Sequence, residues 1–341
     1  MTANPLRTVS AANVEMRSIE WLDKPLLQGS AFHLITGPKG VGKGTWLARV
    51  TSRMTTGDFT CGIRNVLIVS SEDSAAIDLV PRLTAAGADL DRVRILDDRF
   101  ALPDDLDRLR DAANEFGNVG LIVIDPLGNH LGGADTDREG AVRFAIAGLN
   151  NLADDLGCTV LGVRHLAKSR QNGALASVLG STAWVDLPRC VLGFAPDDTD
   201  DDVFHVQVIA GNRSKHGDGH SYRIELRDVG LKEPVTCAID LGASRKNVDD
   251  LLAAPRRNSK SDGARDLILD ALEQAAGQEM DSDTLDARIA AETGLSAKTV
   301  KNLRGELKNA GLIKSVPLKN EYGEVQRWMV ARTAAPRQAT A

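Results

Sequence analysis

Lys43, Glu72 and Asp125 are the residues of this chain whose types and settings can do chemistry together. Lys43 lies in the run Gly37-Pro38-Lys39-Gly40-Val41-Gly42-Lys43-Gly44-Thr45. Glycines let successive backbone N–H groups curl round an anion, and the N-terminus of a following helix adds its partial positive charge. Lys43 can then reach the outer phosphates of ATP or GTP. The residue after the lysine is Gly44, where such loops usually carry Ser or Thr to ligate Mg²⁺. The nearest hydroxyl is displaced to Thr45, which holds the metal directly, holds it through water, or contacts a phosphate only. Glu72 and Asp125 each follow an apolar run, Val66-Leu67-Ile68-Val69 and Leu121-Ile122-Val123-Ile124. A carboxylate in the first position can orient or deprotonate an attacking water, and one in the second faces the nucleotide's Mg²⁺.

These groups need an open α/β sheet to bring them together, because ligands bind at the carboxyl ends of its strands. Phe32-His33-Leu34-Ile35 reads as the strand before the phosphate loop, and Trp46-Leu47-Ala48-Arg49-Val50 as the helix after it. The runs ending at Glu72 and Asp125 read as central parallel strands buried on both faces, with the Asp125 strand next to the phosphate-loop strand. Asp73 is expected to cap a helix over about 74–87. A short strand follows at 93–96, then helices from Pro103 to Phe116 and from Ala141 to Leu156, the latter on apolar residues at helical spacing. The strand 158–165 carries His165 to the same sheet edge, where it can sense the γ-phosphate. A polar loop, 166–180, holds Lys168 and Arg170. Residues 185–194, 204–209, 222–226 and 236–240 read as further strands. His216-Gly217-Asp218-Gly219-His220 fits a hairpin turn better than a metal site, and Trp21 fits the core.

Length bounds the organisation. The 341 residues suit about two domains. No run of about 18 apolar residues suggests a membrane span, and no basic-then-apolar leader is present, which fits a cytoplasmic protein. Cys61, Cys158, Cys190 and Cys237 are widely spaced and fit reduced thiols. Net charge is −6, yet from residue 287 onward ten Lys/Arg face four Asp/Glu. A basic end on an acidic body suggests an anionic partner there. Residues 1–17 read as a flexible N-terminus, 18–243 as the ATPase domain, 244–262 as a polar, basic linker and 333–341 as a tail. Within 263–332, three amphipathic helices and a hairpin about Tyr322-Gly323 compose a winged helix-turn-helix. Its recognition-like helix, 296–310, presents Lys301, Arg304 and Lys308 to duplex DNA. A docking role toward protein is the other reading of such a module.

Several segments, in order and at consistent spacing, resemble the RecA-like ATPases of the replicative-helicase type found on plasmids and phages. They are Ile19-Glu20-Trp21-Leu22, Gly37 to Thr45, Val69 to Asp73, Ile124-Asp125-Pro126-Leu127, Arg164-His165 with Lys168-Ser169, Gly180 to Trp184, and Asn212-Arg213-Ser214-Lys215. The resemblance implies a RecA-like P-loop NTPase with a mainly parallel sheet, assembled as a hexameric ring with ATP and Mg²⁺ between subunits. It also implies Glu72 as the catalytic carboxylate, Asp125 on the metal side, and His165 as a sensor. Arg213 and Lys215 match the cations supplied to a neighbour's γ-phosphate. Single-stranded DNA would pass the loops after Asp125 and His165, where Lys168 and Arg170 can meet its phosphates.

The expected function is thus an ATP-hydrolysing DNA motor of a phage, plasmid or other mobile element, a replicative-type helicase. An ATP-gated DNA-binding protein without unwinding activity is the rival. The Gly-Lys-Gly-Thr loop also resembles that of adenylate kinases, but no arginine-rich lid is evident, and that reading leaves Glu72 and the basic C-terminal module without a task.

Overall fold

The computed structural model describes residues 8–16, 18–133, 138–165, 182–244, 246–253, 260–275, 279–321 and 323–333. Contacts divide the chain into two units, Met1–Ala254 and Pro255–Ala341.

In the first unit, two short strands, β1 (Trp21–Asp23) and β2 (Leu27–Gln28), lead into β3 (Phe32–Gly37) and helix α1 (Lys43–Thr56). Then follow β4 (Asn65–Ser70), α2 (Val80–Ala86), β5 (Val93–Ile95), α3 (Leu106–Phe116), β6 (Val119–Asp125), α4 (Glu139–Ile146), α5 (Gly148–Leu156) and β7 (Thr159–His165). After them come α6 (Ala183–Asp186), β8 (Cys190–Pro196), β9 (Val203–Gly211), β10 (Gly219–Arg227), β11 (Val235–Ala243) and α7 (Val248–Ala253).

Nine of the described strands form one sheet in the order β11-β10-β9-β8-β3-β7-β6-β4-β5. From β8 to β5 all neighbours run parallel, while β9, β10 and β11 add an antiparallel extension. This is the mainly parallel α/β architecture that the sequence implied. Side chains alternate across a strand, so β6 feeds two cores. Ile122 and Ile124 pack with Leu149, Leu152 and Trp184 on one face, and Leu121 and Val123 pack with Leu47, Val50 and Met54 of α1 on the other. Burial on both faces is why these strands read as unbroken apolar runs.

Several details differ from the sequence reading. The Asp125 strand does not adjoin the phosphate-loop strand, because β7 lies between them. Strand order depends on long-range pairing, which a local apolar run does not encode. The cap of the helical segment after Glu72 is Ser74, whose hydroxyl accepts from Ile77 N, and not Asp73. That segment opens with a wide turn at Ala75–Leu79, and α2 proper begins just before Pro81, which has no N–H to continue the ladder. The single helix expected over 141–156 breaks between Ile146 and Gly148. Trp21 is only half-buried, with Lys24 Nζ 5.9 Å from its ring centroid. Part of the expected linker is α7, whose Val248 is fully buried and donates its N–H to Gln207 Oε1 at 2.9 Å.

A partly buried ionic brace fastens the exit of β11 to the β8–β9 turn. Asp197 accepts from Lys246 Nζ and pairs with His205 Nε2, each at 2.7 Å, while His205 Nδ1 lies 2.7 Å from Ser244 Oγ. Burial opposes ionisation of Asp197, but bonds from Lys246, Thr199 and His205 hold its carboxyl well below the usual carboxylate range. A depressed carboxylate contributes stability above its unfolded value of about 4 and loses it as pH falls toward the folded value. Asp197→Asn should therefore cost about 2 kcal/mol at pH 7. The gap to the parent protein should narrow progressively below about pH 4. Urea midpoints of both proteins against pH measure this, and an unchanged gap at pH 3 would remove the brace from the account.

The second unit packs α8 (Lys260–Gln274), β12 (Met280–Asp281), α9 (Ser282–Thr293), α10 (Ala297–Asn309) and the hairpin β13 (Ile313–Lys319) and β14 (Val325–Arg332). Its sheet order is β12-β14-β13. Ile268, Leu272, Leu285, Ile289, Val300, Leu303 and Val330 make its core. Local capping fixes both later helices: Asp281 accepts from Thr284 N at 2.9 Å, and Ser296 from Thr299 N at 3.1 Å. Among the described residues no helix is long and apolar enough to cross a membrane.

Candidate nucleotide site

The phosphate loop leaves the carboxyl end of β3 and enters α1 at Lys43. Gly42 caps the helix at φ +72°, and a Cβ there would lie in van der Waals conflict with Ile224 of β10. Glycine satisfies both demands. The Tyr222 hydroxyl donates to Val41 O at 2.6 Å, so the antiparallel extension carries the loop from below. Lys43 is 6% exposed and folds back to donate to Gly37 O and Pro38 O, both at 2.8 Å. Burial pulls its pKa down to about 8, against the carboxylates of Asp125 and Glu72. A bound polyanion would restore what burial removes.

Asp125 ends β6 on the same edge. Burial first, then the Asp73 carboxylate, push its pKa up to about 6, with Lys43 opposing and Glu72 adding to the rise. Such a group favours a cation beside it. Ser71 joins the ends of β4 and β6: its N–H donates to Asp125 O at 3.2 Å, and its hydroxyl accepts from Asn129 Nδ2 at 3.2 Å. A cleft of about 400 Å³ is lined by Lys39, Gly40, Gly42, Lys43, Gly44 and Thr45 on one wall, and by Glu72, Asp73, Arg82 and Asp125 on the other, with Val163 and Thr236. Thr45 Oγ1 lies 3.2 Å from Thr236 Oγ1.

The structure thus brings Lys43, Glu72, Thr45 and Asp125 around one cleft. His165 ends β7 with its backbone paired beside Gly37. Arg213 and Lys215 are exposed and sit at the other end of the sheet. Gly211 pairs with Cys190, which is level with His33, whereas the loop starts at Gly37, about 13 Å further along the strand. Arg213 Nη1 contacts Gln28 Oε1 at 3.5 Å there, and the Ser214 hydroxyl donates to Pro25 O. Gly217 N donates to Val208 O, so His216 and Gly217 lie in the turn of this hairpin, while Gly219 and His220 begin β10. No group of three or more His, Cys, Asp or Glu among the described residues could hold a metal ion. Lys168 and Arg170 lie outside the described residues. In the second unit Lys301 and Lys308 are exposed, but Arg304 has another task. It donates two bonds to Asp286 at 2.8 and 2.9 Å, with side chains 12% and 7% exposed, and so braces α10 to α9. Sequence reasoning missed Arg82, because nothing near it in the chain shows that α2 delivers it to the cleft.

Residues 2–171 match a family model described as an AAA domain. This part of the chain belongs to that family. The match embraces the phosphate loop, Glu72, Asp125 and His165, so the AAA domain supplies both walls of the cleft. No curated protein matches the chain. Among solved structures it is similar to a protein described as a DnaB-like replicative helicase, reported with its interactions with primase. The match has 14% identity and a TM-score of 0.45, and it covers 60% of this chain. It covers 56% of the helicase chain, so the likeness spans little more than half of that protein.

Proposed function

We propose that the chain is an ATP-hydrolysing DNA motor of the replicative-helicase type, working as a homo-oligomeric ring on single-stranded DNA. The observation that carries the chemistry is the convergence of Lys43, Glu72 and Asp125 on one cleft from three strand ends. The groups fit MgATP: a buried lysine held down to about 8 wants an anion, and a buried carboxyl pushed up to about 6 wants a cation. Lys43 and the N–H groups of residues 40–45 would hold the phosphates, and Asp125 with Thr45 would face Mg²⁺. Mg²⁺, when bound, neutralises charge on the phosphate oxygens. Glu72 orients the attacking water and accepts its proton. Arg213 and Lys215, remote from their own loop, suit the γ-phosphate of a neighbouring subunit.

The order helix, short strand, two helices and hairpin in the second unit supports a winged helix. Its exposed Lys301 and Lys308 would meet duplex phosphates, which position a protein without reading sequence. A phage, plasmid or other mobile element suits such a motor.

Phosphate release from ATP and Mg²⁺, with and without single-stranded DNA, tests this reading. DNA should stimulate turnover, and Lys43→Ala should abolish both nucleotide binding and turnover. Strand displacement then separates the motor from an ATP-gated DNA-binding protein. Stimulated hydrolysis without unwinding would favour the latter.

A further inference from the structure

Gly44 reads in the sequence as a missing hydroxyl. In the structure the space beside it is taken. A Cβ on Gly44 would lie 2.8 Å from Arg82 Nη1, closer than atoms of this kind approach without one of them moving. The guanidinium is delivered from α2 and is held by Asp73, at 2.6 Å, with Asp78 at 3.5 Å, and Asp73 Oδ2 itself would lie 4.0 Å from that Cβ. Arg82 and Asp73 are mostly buried, their side chains 22% and 29% exposed. Arg82 also lines a small cavity of about 30 Å³, mostly apolar through Leu47, Ile68, Leu79, Leu83 and Val123, with Asp73 and Asp125 at its polar side. Its apolar lining offers the charge no partner, whereas the cleft does, and Arg82 lines that cleft with Lys43, Glu72 and Asp125.

Gly44 belongs to the first turn of α1, whose N–H groups have no partners within the helix and are free to bind an anion. A guanidinium resting on that residue lies at the rim of the phosphate cradle. Arginine is always charged, and its planar fork matches phosphate oxygens in pairs.

We propose that Arg82 is a phosphate-binding residue given by the chain to its own site, and that Gly44 is the seat that admits it. The inference rests on the ATP-site reading above and specifies how that site tells a triphosphate from a diphosphate. In this structure Asp73 holds the guanidinium. The terminal phosphate of ATP would compete with Asp73 for it, and the shorter phosphate chain of ADP would compete less. Any side chain at position 44 then acts through Arg82 by pushing it from its seat. The displaced atom is the far end of a flexible side chain, so the fold survives the substitution.

Equilibrium binding of a fluorescent non-hydrolysable ATP analogue and of the matching fluorescent ADP, both with Mg²⁺, tests this on the full chain. Arg82→Ala should weaken the triphosphate about tenfold and the diphosphate less than about twofold. Gly44→Ser should give the same selective loss, and the double variant should be no weaker than Arg82→Ala alone. Tighter triphosphate binding by Gly44→Ser would mean that the position lacks only a metal-binding hydroxyl, and would overturn the proposal. Equal weakening of both nucleotides by Arg82→Ala would also overturn it, leaving a brace for Asp73. Failure of the parent protein to bind either nucleotide would instead remove the ATP-site reading on which the proposal stands. Lys43→Ala supplies the reference for that outcome.

Discussion

Glu72→Gln should leave ATP bound and slow its hydrolysis by about 10²–10⁴-fold, the usual contribution of a positioned general base. The amide keeps the shape and the ability to orient water but cannot take the proton. Binding should not suffer, because the site already holds an excess of carboxylates. After burial and Asp73, Glu72 is among the groups that push Asp125 up to about 6. Removing its charge therefore makes Asp125 easier to ionise and the metal side no weaker. The substitution should separate kcat from affinity, in contrast to Lys43→Ala, which removes a phosphate contact. Single-turnover phosphate release beside equilibrium nucleotide binding measures both. Turnover within tenfold of the parent protein would take the base role from Glu72.

Asp286→Ala should unfold much of the second unit. Asp286 and Arg304 are paired by two bonds in a nearly closed setting, and deleting one member of a buried pair costs about 3–5 kcal/mol, since the other charge is stranded. A unit of this size has about that much stability to lose. Hydrogen exchange of residues 282–309 in the full chain should accelerate toward that of an unfolded segment. Replacing both partners together, Asp286→Leu with Arg304→Leu, should restore most of the protection. Slow exchange in the single variant would show that the pair contributes little. The same experiment bears on DNA binding, because Lys301→Ala with Lys308→Ala removes exposed charge without touching the pair.

Local chemistry made the phosphate loop legible: glycines, a lysine and the switch from strand to helix all lie within one stretch. The runs before Glu72 and Asp125 were legible for a similar reason, since burial on both faces leaves an apolar signature. What the chain did not disclose was non-local. The insertion of β7 between β3 and β6 is a pairing choice, and Gly148, just after the helix break, is packed against Leu106, whose side chain fills the space a Cβ would need. Arg304 looked like one cation on a basic helix face because its partner lies on another helix. Arg82 gave no signal at all, since its meaning depends on Gly44, reached only through the packing of α2 on α1. Residues 248–253 read as linker because their surroundings are polar, yet Val248 inserts into the core.

The β9–β10 turn leaves each chain with its loop at one end of the sheet and Arg213 with Lys215 at the other. Under the ring reading, two dead proteins should make a live mixture. Lys43→Ala lacks a working cradle but keeps its cations; Arg213→Ala lacks a cation but keeps its cradle. Each alone should be inactive, and mixing them should create some junctions in which an intact cradle faces an intact arginine. Recovery of phosphate release on mixing, and its disappearance on dilution, would follow from the direction of one pair of strands.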